Sequence, residues 1–596
     1  MCGIAGIWSP HKDSPSMIRR MNLALQHRGS DDSEIYCDDK NSIYLSHNRL
    51  SILDLSAHGR QPFFNETGDV AAVVNGEIYN FLELKNNLIG RGHRFCSGSD
   101  AEVVVHAYEE WGEDFVNRLD GMFALALWDQ SNRKLFLARD PFGIKPLYYF
   151  QNKDIFAFAS ELRTFLFLDG EDFSAEMNPQ AVEALLLFPY ICEDEITALQ
   201  GVCKLPPGHY LIAKDGNISL KCHWRLESRQ NNAANDFDSI SFRSLEEKLL
   251  SAVSSHLKSD VEIGMFLSGG VDSGLIAAMA SKILRKPIRA FTAYFGHPLD
   301  EHLYAAKVAR HVGMDHIAVP IDLKKVTNLI EEMIWGFDDL SCVDAGFFTL
   351  YLLAEEVKSR GIKVVLSGEG ADEIFGGYPW FGFADFPFRY LPPAARNFLL
   401  YSRISKNIFN GTSRRGAKQF SNLFNSFDDA DLFRRISRFE IRYQLPNHFL
   451  MKVDKATMAH GVETRVPYLD RGVVEAALAL PKGKGEGARH PKKASLRKIA
   501  GTYLPPEIIL RQKRGFLFPI AKFMEIEHEK IDSYVSGADS FLGEFISKKN
   551  RTGLLYNKTE TPFIFRSARE SMLWRLFVIE VWAKKFKDAK AALTKA

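Results

Sequence analysis

Along residues 1–150, short apolar runs alternate with Gly, Asp and Asn turns: IYLSHNRLSILDL (43–55), VAAVVNGEIYNF (70–81), MFALALWD (122–129), KLFLARD (134–140) and LYYF (147–150). Runs of this length between turn formers predict strands, and two longer stretches near 16–27 and 100–115 predict helices. The first part of the chain is therefore expected to be a β-rich layered domain with helices on its faces. The polar stretch LESRQNNAANDFDSIS (226–241) has the composition of a linker, and beyond it the pattern changes. VEIGMFLSGGVDSGLIAAMASKIL (261–284) and IKVVLSGEGADEIFGGY (362–378) each run from an apolar strand through a Gly-rich loop into a helix, which marks a parallel α/β sheet. From about residue 380 to 590 the chain reads mostly helical, without an internal repeat.

At 596 residues and 46% hydrophobic, the chain is too long for one core and is expected to form several domains. Its 75 Lys+Arg and 74 Asp+Glu leave a net charge of +1, so no global field gathers nucleic acid or an anionic membrane, and neither partner is expected. Seven cysteines, at 2, 37, 96, 192, 203, 222 and 342, are odd in number and contain no C-x-x-C pair. That argues against a disulfide framework or a cysteine zinc cage and for a reducing, cytoplasmic setting. The start MCGIAGIWSPHKD has no basic leader pattern, and no apolar run approaches the roughly 18–20 residues of a bilayer span.

The candidate chemistry begins at Cys2. Removal of Met1 would leave one residue carrying both a thiol and an α-amine, a nucleophile with its own base. Further on, Arg49 offers a guanidinium fork for a carboxylate, Asn75-Gly76 offers donors for an oxyanion, and Glu77 and Asp100 offer carboxylates for an ammonium group. That is a recognition set for a free amino acid. With the blocks MCGIAGI, HRGSDD (27–32), RLSILDL, NGEIYN, SDAEV, GMFALALWD, RDPFGIKPLYY (139–149) and FASEL (158–162), the first 210 or so residues resemble the glutaminase domain of class II glutamine amidotransferases. The resemblance implies an N-terminal-nucleophile hydrolase αββα sandwich over 2–215. Cys2 would attack the glutamine side-chain amide, Asn75 and the Gly76 N–H would hold the oxyanion, and Arg49, Asn75, Glu77 and Asp100 would bind glutamine. Ser30 stands where the family commonly has proline, a change expected to alter loop stiffness rather than chemistry.

A second constellation is Ser268-Gly269-Gly270-Val271-Asp272-Ser273-Gly274, whose backbone N–H groups lie between a strand and a helix N-terminus as an anion cradle. It is not a Walker A loop, since no lysine reaches the phosphates from it. It resembles the pyrophosphate loop of ATP pyrophosphatases. In the second loop, Ser367-Gly368-Glu369-Gly370-Ala371-Asp372-Glu373, three carboxylates crowd a Gly-rich turn and call for cations; Asp272 and Asp372 are the candidates for Mg²⁺.

KVDKATMAHGVETRVPYLD (452–470), PKKASLRKIAGTYLP (491–505) and RQKRGF (511–516) then resemble, in order and spacing, the synthetase domain of glutamine-hydrolysing asparagine synthetases. That resemblance implies an α/β ATP-pyrophosphatase domain over 242–590 with a helical C-terminal portion, following a linker at 226–241. It implies ATP held by Leu267, Ser268, Gly269, Gly270, Asp272, Ser273, Ser367 and Gly368. Lys493, or Lys492 beside it, would lie on the phosphates, and Glu369 would take the ammonium proton.

The acceptor carboxylate is less defined. Residues 386–427 hold seven Lys/Arg, seven Phe and no Asp or Glu. They are expected either to cover the synthetase sheet with a solvated basic face or to recognise a larger anionic acceptor, with rings beneath its sugar faces. The segment 337–344 lies where the family shapes its acceptor pocket. Three functions follow: an asparagine-forming amidotransferase converting aspartate, glutamine and ATP to asparagine, glutamate, AMP and pyrophosphate; the same chemistry on a uronic-acid sugar or other carboxylate; and a non-catalytic relative, which would be expected to have lost Cys2, the SGGVDS loop or Lys493. The family resemblance also implies a homodimer.

Overall fold

The computed structural model describes residues 2–168, 175–226, 238–296, 300–341, 343–384, 388–405, 410–429, 431–480, 493–511, 518–537, 539–556 and 563–595. Lys492, Cys342, residues 227–237 of the expected linker and 512–516 of the RQKRGF block lie outside the described residues.

The first domain contains twelve described strands: β1 (Gly3–Trp8), β2 (Asp32–Asp38), β3 (Ile43–Arg49), β4 (Phe63–Phe64), β5 (Val70–Ile78), β6 (Gly121–Asp129), β7 (Lys134–Arg139), β8 (Tyr148–Gln151), β9 (Phe156–Ala159), β10 (Cys203–Lys204), β11 (His209–Lys214) and β12 (Asn217–Cys222). They form two six-stranded antiparallel sheets, ordered β10-β8-β9-β1-β3-β2 and β12-β11-β7-β6-β5-β4. Alternation along each strand sorts side chains to the two faces. Ile4, Leu45, Val73, Ala124, Leu135 and Phe158 fill the space between the sheets. Ala5 and Ile7 point the other way, onto the helices Ser14–Ala24 and Pro179–Leu187. Helices Phe81–Gly90 and Val103–Trp111 cover the outer face of the second sheet through Leu84, Leu88 and Val104. The layering is αββα.

The second domain is built on β13 (Ile263–Phe266), β14 (Arg289–Tyr294), β15 (Asp315–Pro320), β16 (Val364–Leu366) and β17 (Glu463–Arg465). All pairs are parallel, in the order β15-β14-β13-β16-β17. Strand order reverses between β13 and β16, so the loops leaving their carboxyl ends flank a switch-point crevice, where ligands bind in such sheets. Helices Asp238–His256 and Val271–Leu284 bury Leu249, Val253, Leu275 and Met279 on one face. The first of these helices begins inside the stretch expected as linker. On the other face, Val326, Phe347 and Leu353 pack with Leu576 and Phe577 of the C-terminal helix Phe563–Lys595, in a cluster continuous with Met17, Met21 and Leu185 of the first domain.

One expectation changes here. The helices Pro393–Ser405 and Asn410–Asn425 do not cover the synthetase sheet: Tyr401, Phe420 and Phe424 are buried against Phe188, Tyr190 and Phe439, and the Tyr401 hydroxyl donates to Leu187 O at 3.0 Å. Those rings are consumed by packing and are not free to lie under a sugar. In segment 337–344, Asp338 accepts from Leu162 N (2.8 Å), Arg163 N (2.9 Å) and Lys455 Nζ (2.7 Å), and Asp339 accepts from Ala198 N (3.0 Å). These two buried carboxylates are taken up in pinning the two domains together.

Candidate active site

The first site lies where β1, β3 and β5 come together. The Cys2 backbone nitrogen, an amide while Met1 is attached and the α-amine once it is removed, donates to Asn75 Oδ1 at 3.1 Å. Asn75 is fully buried on β5, and its Nδ2 has no protein partner. A buried donor without a partner is costly, so it marks a place where a ligand oxygen fits. Gly76 follows with no room for a side chain: a Cβ there would lie 2.0 Å from Met122 O on β6. Its N–H is thereby left beside Asn75. Burial pushes the Cys2 thiol up, with the Leu50 backbone N–H working the other way.

Around it, Asp100 Oδ2 accepts from Ile78 N at 2.6 Å, and burial raises this carboxyl to about 6. Glu77 is held well above the ordinary carboxylate range by burial, although Arg465 Nη2 of β17 lies 3.1 Å from its Oε2. Arg49 ends β3, and its guanidinium donates to Ser56 O (2.9 Å), Leu53 O (3.4 Å) and Asp54 O. Cys2, Arg49, Asn75, Gly76, Glu77 and Asp100 thus come from one end of the sandwich, the end that meets the second domain.

The second site is the switch-point crevice. Gly269 has φ +67° and sits so close to helix His302–Val312 that a Cβ would lie 2.4 Å from Ala305 N. The loop closes on itself through Ser268 N to Ser273 Oγ (3.1 Å) and the paired hydroxyls (3.0 Å). Gly368 abuts it, a Cβ there falling 2.9 Å from Ser273 N, and Leu267 and Ser367 are buried at the strand ends. Lys493, at the start of helix Ala494–Ala500, has φ 60° and is buried between two carboxylates: Nζ lies 2.5 Å from Asp272 Oδ2 and 2.6 Å from Asp372 Oδ1. The second Asp272 oxygen, Oδ1, is buried without a hydrogen-bond partner. Two carboxylates converging with an unused oxygen suit a hard divalent cation such as Mg²⁺. Gly377 permits this approach, since a Cβ there would lie 1.6 Å from Asp372 Oδ1 and 2.6 Å from Lys493 Cε.

Several residues at these sites escape sequence reasoning. Glu373 sits in the loop already singled out, yet its burial and its bond from the Tyr378 hydroxyl (2.5 Å) only appear in three dimensions; burial lifts it to about 7. Glu440 opens a π-helical stretch, Glu440–Phe449, accepts from Trp380 Nε1 at 3.0 Å, and is pushed well above the carboxylate range by burial. Arg511 braces the 268–274 loop from outside, donating to Gly269 O (3.0 Å) and to Glu301 (2.8 Å). Arg28, in the HRGSDD block, donates to Cys2 O (3.2 Å) and bidentately to Asp454 of the second domain (2.9 and 3.1 Å). Only the presence of Arg28 and Asp454 inside quoted motif blocks hinted at this link.

Comparison with known proteins follows the same division. Residues 1–224 match the family model described as a glutamine amidotransferase domain, and residues 244–584 match the model described as asparagine synthase. The chain is 30% identical to "Asparagine synthetase [glutamine-hydrolyzing] 1" of Bacillus subtilis over 98% of this chain and 96% of that protein. It is also 30% identical to "Putative asparagine synthetase [glutamine-hydrolyzing]" of Mycobacterium tuberculosis, over 98% and 97%. "Amidase chry2" of Gibberella zeae is 33% identical over 64% of this chain and 60% of that protein. A glutaminase-like sandwich joined to an α/β synthetase-like domain defines a two-domain amide ligase. The chain belongs to the glutamine-hydrolysing asparagine synthetase family of amidotransferases.

Proposed function

We propose that the chain transfers glutamine nitrogen to a carboxylate activated by ATP, with aspartate as the favoured acceptor and asparagine, glutamate, AMP and pyrophosphate as products. The observation that carries this reading is that each residue set converges in the fold: Cys2 on Asn75 with its unpartnered Nδ2, and Lys493 between Asp272 and Asp372.

At the first site, the Cys2 α-amine, exposed by loss of Met1 and oriented by Asn75 Oδ1, takes the thiol proton as sulfur attacks the glutamine amide. Asn75 Nδ2 and the Gly76 N–H hold the developing oxyanion. Glu77 and Asp100 bind the α-ammonium, and Arg49 binds the α-carboxylate by exchanging one of its carbonyl bonds. Ammonia leaves, and water hydrolyses the thioester.

At the second site, Ser268, Gly269, Gly270 and Ser273 bind the ATP phosphates, while Leu267, Ser367 and Gly368 hold the adenosine. Asp272 and Asp372 would hold Mg²⁺, which when bound neutralises triphosphate charge. Lys493, released from its two carboxylates, lies on the phosphates as the acceptor carboxylate displaces pyrophosphate and becomes an acyl-adenylate. Ammonia displaces AMP, and Glu369 takes the surplus proton.

Ammonia must cross between sites without protonation by bulk water. An apolar cluster of Leu50, Ile52 and Met122 from the first domain and Leu267, Val466 and Leu469 from the second supports such a passage, with Gly76 against Met122 at one end and Gly370 against Leu469 at the other. Replacing Cys2 with Ala tests the division of labour. Synthesis from glutamine should cease while synthesis from added ammonium continues; loss of both would break the two-site account.

A second reading keeps this chemistry for a ring-bearing carboxylate. It is favoured by Tyr378 and Trp380, stacked at 4.5 Å and half-buried in the chain that follows Glu373. An odd number of cysteines with no C-x-x-C pair supports a cytoplasmic setting, and the family supports a homodimer.

A further inference from the structure

On the outer face of the second antiparallel sheet, away from the residues assigned above, four side chains from three separate segments converge. Glu66 comes from the turn between β4 and β5, His93 from the loop after helix Phe81–Gly90, and His106 and Glu109 from consecutive turns of helix Val103–Trp111. One ligand atom from each lies within 4.8 Å of all the others. Spacing of i and i+3 places His106 and Glu109 on the same face of their helix, so the helix presents a ready-made half of the set.

His106 supplies the independent observation. It is 1% exposed, and neither ring nitrogen has a hydrogen-bond partner. Its Nδ1 lies 3.3 Å from Glu66 Oε2 without hydrogen-bond geometry, and its Nε2 lies 3.8 Å from Glu102 Oε1. A histidine buried this fully, with loose carboxylate pairs and no hydrogen bond, leaves a ring nitrogen able to give its lone pair to a metal ion. His93 Nδ1 lies 3.3 Å from Glu66 Oε1 and 3.8 Å from Glu109 Oε2. Ligands about 2.0–2.1 Å from a tetrahedral zinc ion are separated by about 3.3–3.4 Å. The two His–Glu66 spacings of 3.3 Å already match that shell, His93–Glu109 at 3.8 Å is close to it, and the widest pair, within 4.8 Å, would have to close by up to about 1.4 Å on binding.

We infer that Glu66, His93, His106 and Glu109 form a structural site for a divalent transition cation of the zinc class, distinct from the ATP site. The two imidazoles are borderline donors that, set beside two hard carboxylates, favour zinc and its late first-row neighbours over Mg²⁺. The outer shell is present too. Glu102 lies beyond His106 Nε2, and Glu110 Oε2 lies 3.6 Å from His93 Nε2, the carboxylate-histidine-metal arrangement that fixes ring orientation.

The site has a structural consequence. Glu66 Oε1 also accepts from Arg94 N at 2.7 Å, and Glu102 accepts from Cys96 N (2.6 Å) and Ser97 N (2.8 Å). A bound ion would therefore tie down the loop that ends at Asp100. Cation binding itself does not depend on the role proposed for Asp100.

The test uses untagged, full-length, metal-stripped protein in a Cys2→Ala background, with Mg²⁺ in excess. Co²⁺ is titrated and followed by visible absorption, with bound metal counted by elemental analysis. One equivalent should bind with tetrahedral-type absorption and be displaced by Zn²⁺. His93→Asn and Glu109→Gln, at partly exposed positions that leave the core intact, should each weaken binding at least about tenfold. His106→Ala should abolish it if that variant folds. Binding of less than one equivalent at micromolar Co²⁺, or binding unchanged in both surface variants, would overturn the assignment.

Discussion

Asn75 does two jobs with one amide: its oxygen holds the Cys2 nitrogen and its Nδ2 stays free in a dry place. An oxyanion donor of this kind contributes about 10²–10³-fold to kcat. Asn75→Ala should therefore lower glutamine hydrolysis by about that factor and leave ammonium-dependent synthesis unchanged. Steady-state assays with the two nitrogen sources check this. Asp100 adds a pH signature. Its carboxyl is raised to about 6 by burial and must be ionised to hold an ammonium group. As pH falls through 6, Asp100 protonates, so kcat/KM for glutamine should drop about tenfold per unit below that point and level off above it. A profile that stays flat to pH 5 would remove Asp100 from glutamine binding. In the second domain, Asp272→Asn should stop synthesis from either nitrogen source while glutaminase activity persists. Full synthesis by that variant would displace Asp272 from the ATP site.

At the scale of elements, the second site is made by two strand-loop-helix units meeting at the switch point, and their glycines set how close the units come. Gly377→Ala would push a methyl into Asp372 and Lys493. Misplacement of about 1 Å costs about 10²-fold, so synthesis should fall by that order with glutaminase activity intact; comparing the two activities in one preparation tests it. These two units were legible in the sequence because buried parallel strands are continuous apolar runs and Gly-rich loops punctuate them. Strands β5, β6 and β7, antiparallel but buried on both faces, were legible as continuous apolar runs too. Strands β2 and β12 were not: their residues are mostly exposed or half-exposed, so no alternation marks them. The three residues of β17 were hidden in a motif read only for its polar positions. Candidate residues within motifs could be listed from sequence, but Arg511's bracing of the 268–274 loop could not, because it depends on a fold-back from the helical region. The aromatic packing of 401, 420 and 424 was missed because a Phe-rich basic stretch looks the same whether its rings face a ligand or a neighbouring domain.

Across the whole molecule, the junction is dense with buried charge. Arg28 reaches Cys2 O, Glu161 (3.0 Å) and Asp454, while Lys455 reaches Asp338, and Arg465 lies between Glu77 and Glu463. Removing Arg28 leaves Asp454 buried without its bidentate partner, while Glu161 keeps Arg163; breaking a buried pair in this way costs about 3–5 kcal/mol. Arg28→Ala should therefore shift urea unfolding by about that amount and slow the glutamine-dependent reaction more than the ammonium-dependent one, because Arg28 also fixes the nucleophile's backbone. An unchanged unfolding midpoint would show that the junction does not depend on it.

The central claim is that these two sites together amidate a carboxylate at the expense of ATP. The most direct test is pyrophosphate release with ATP, Mg²⁺ and glutamine, using protein whose mass shows loss of Met1, and comparing aspartate with uronic acids and other carboxylates. Release should depend on aspartate, with asparagine and pyrophosphate formed in equal amounts. Release with a ring-bearing acid instead would keep the chemistry and replace the acceptor. Active glutaminase with no acceptor-dependent pyrophosphate from any carboxylate would contradict the account.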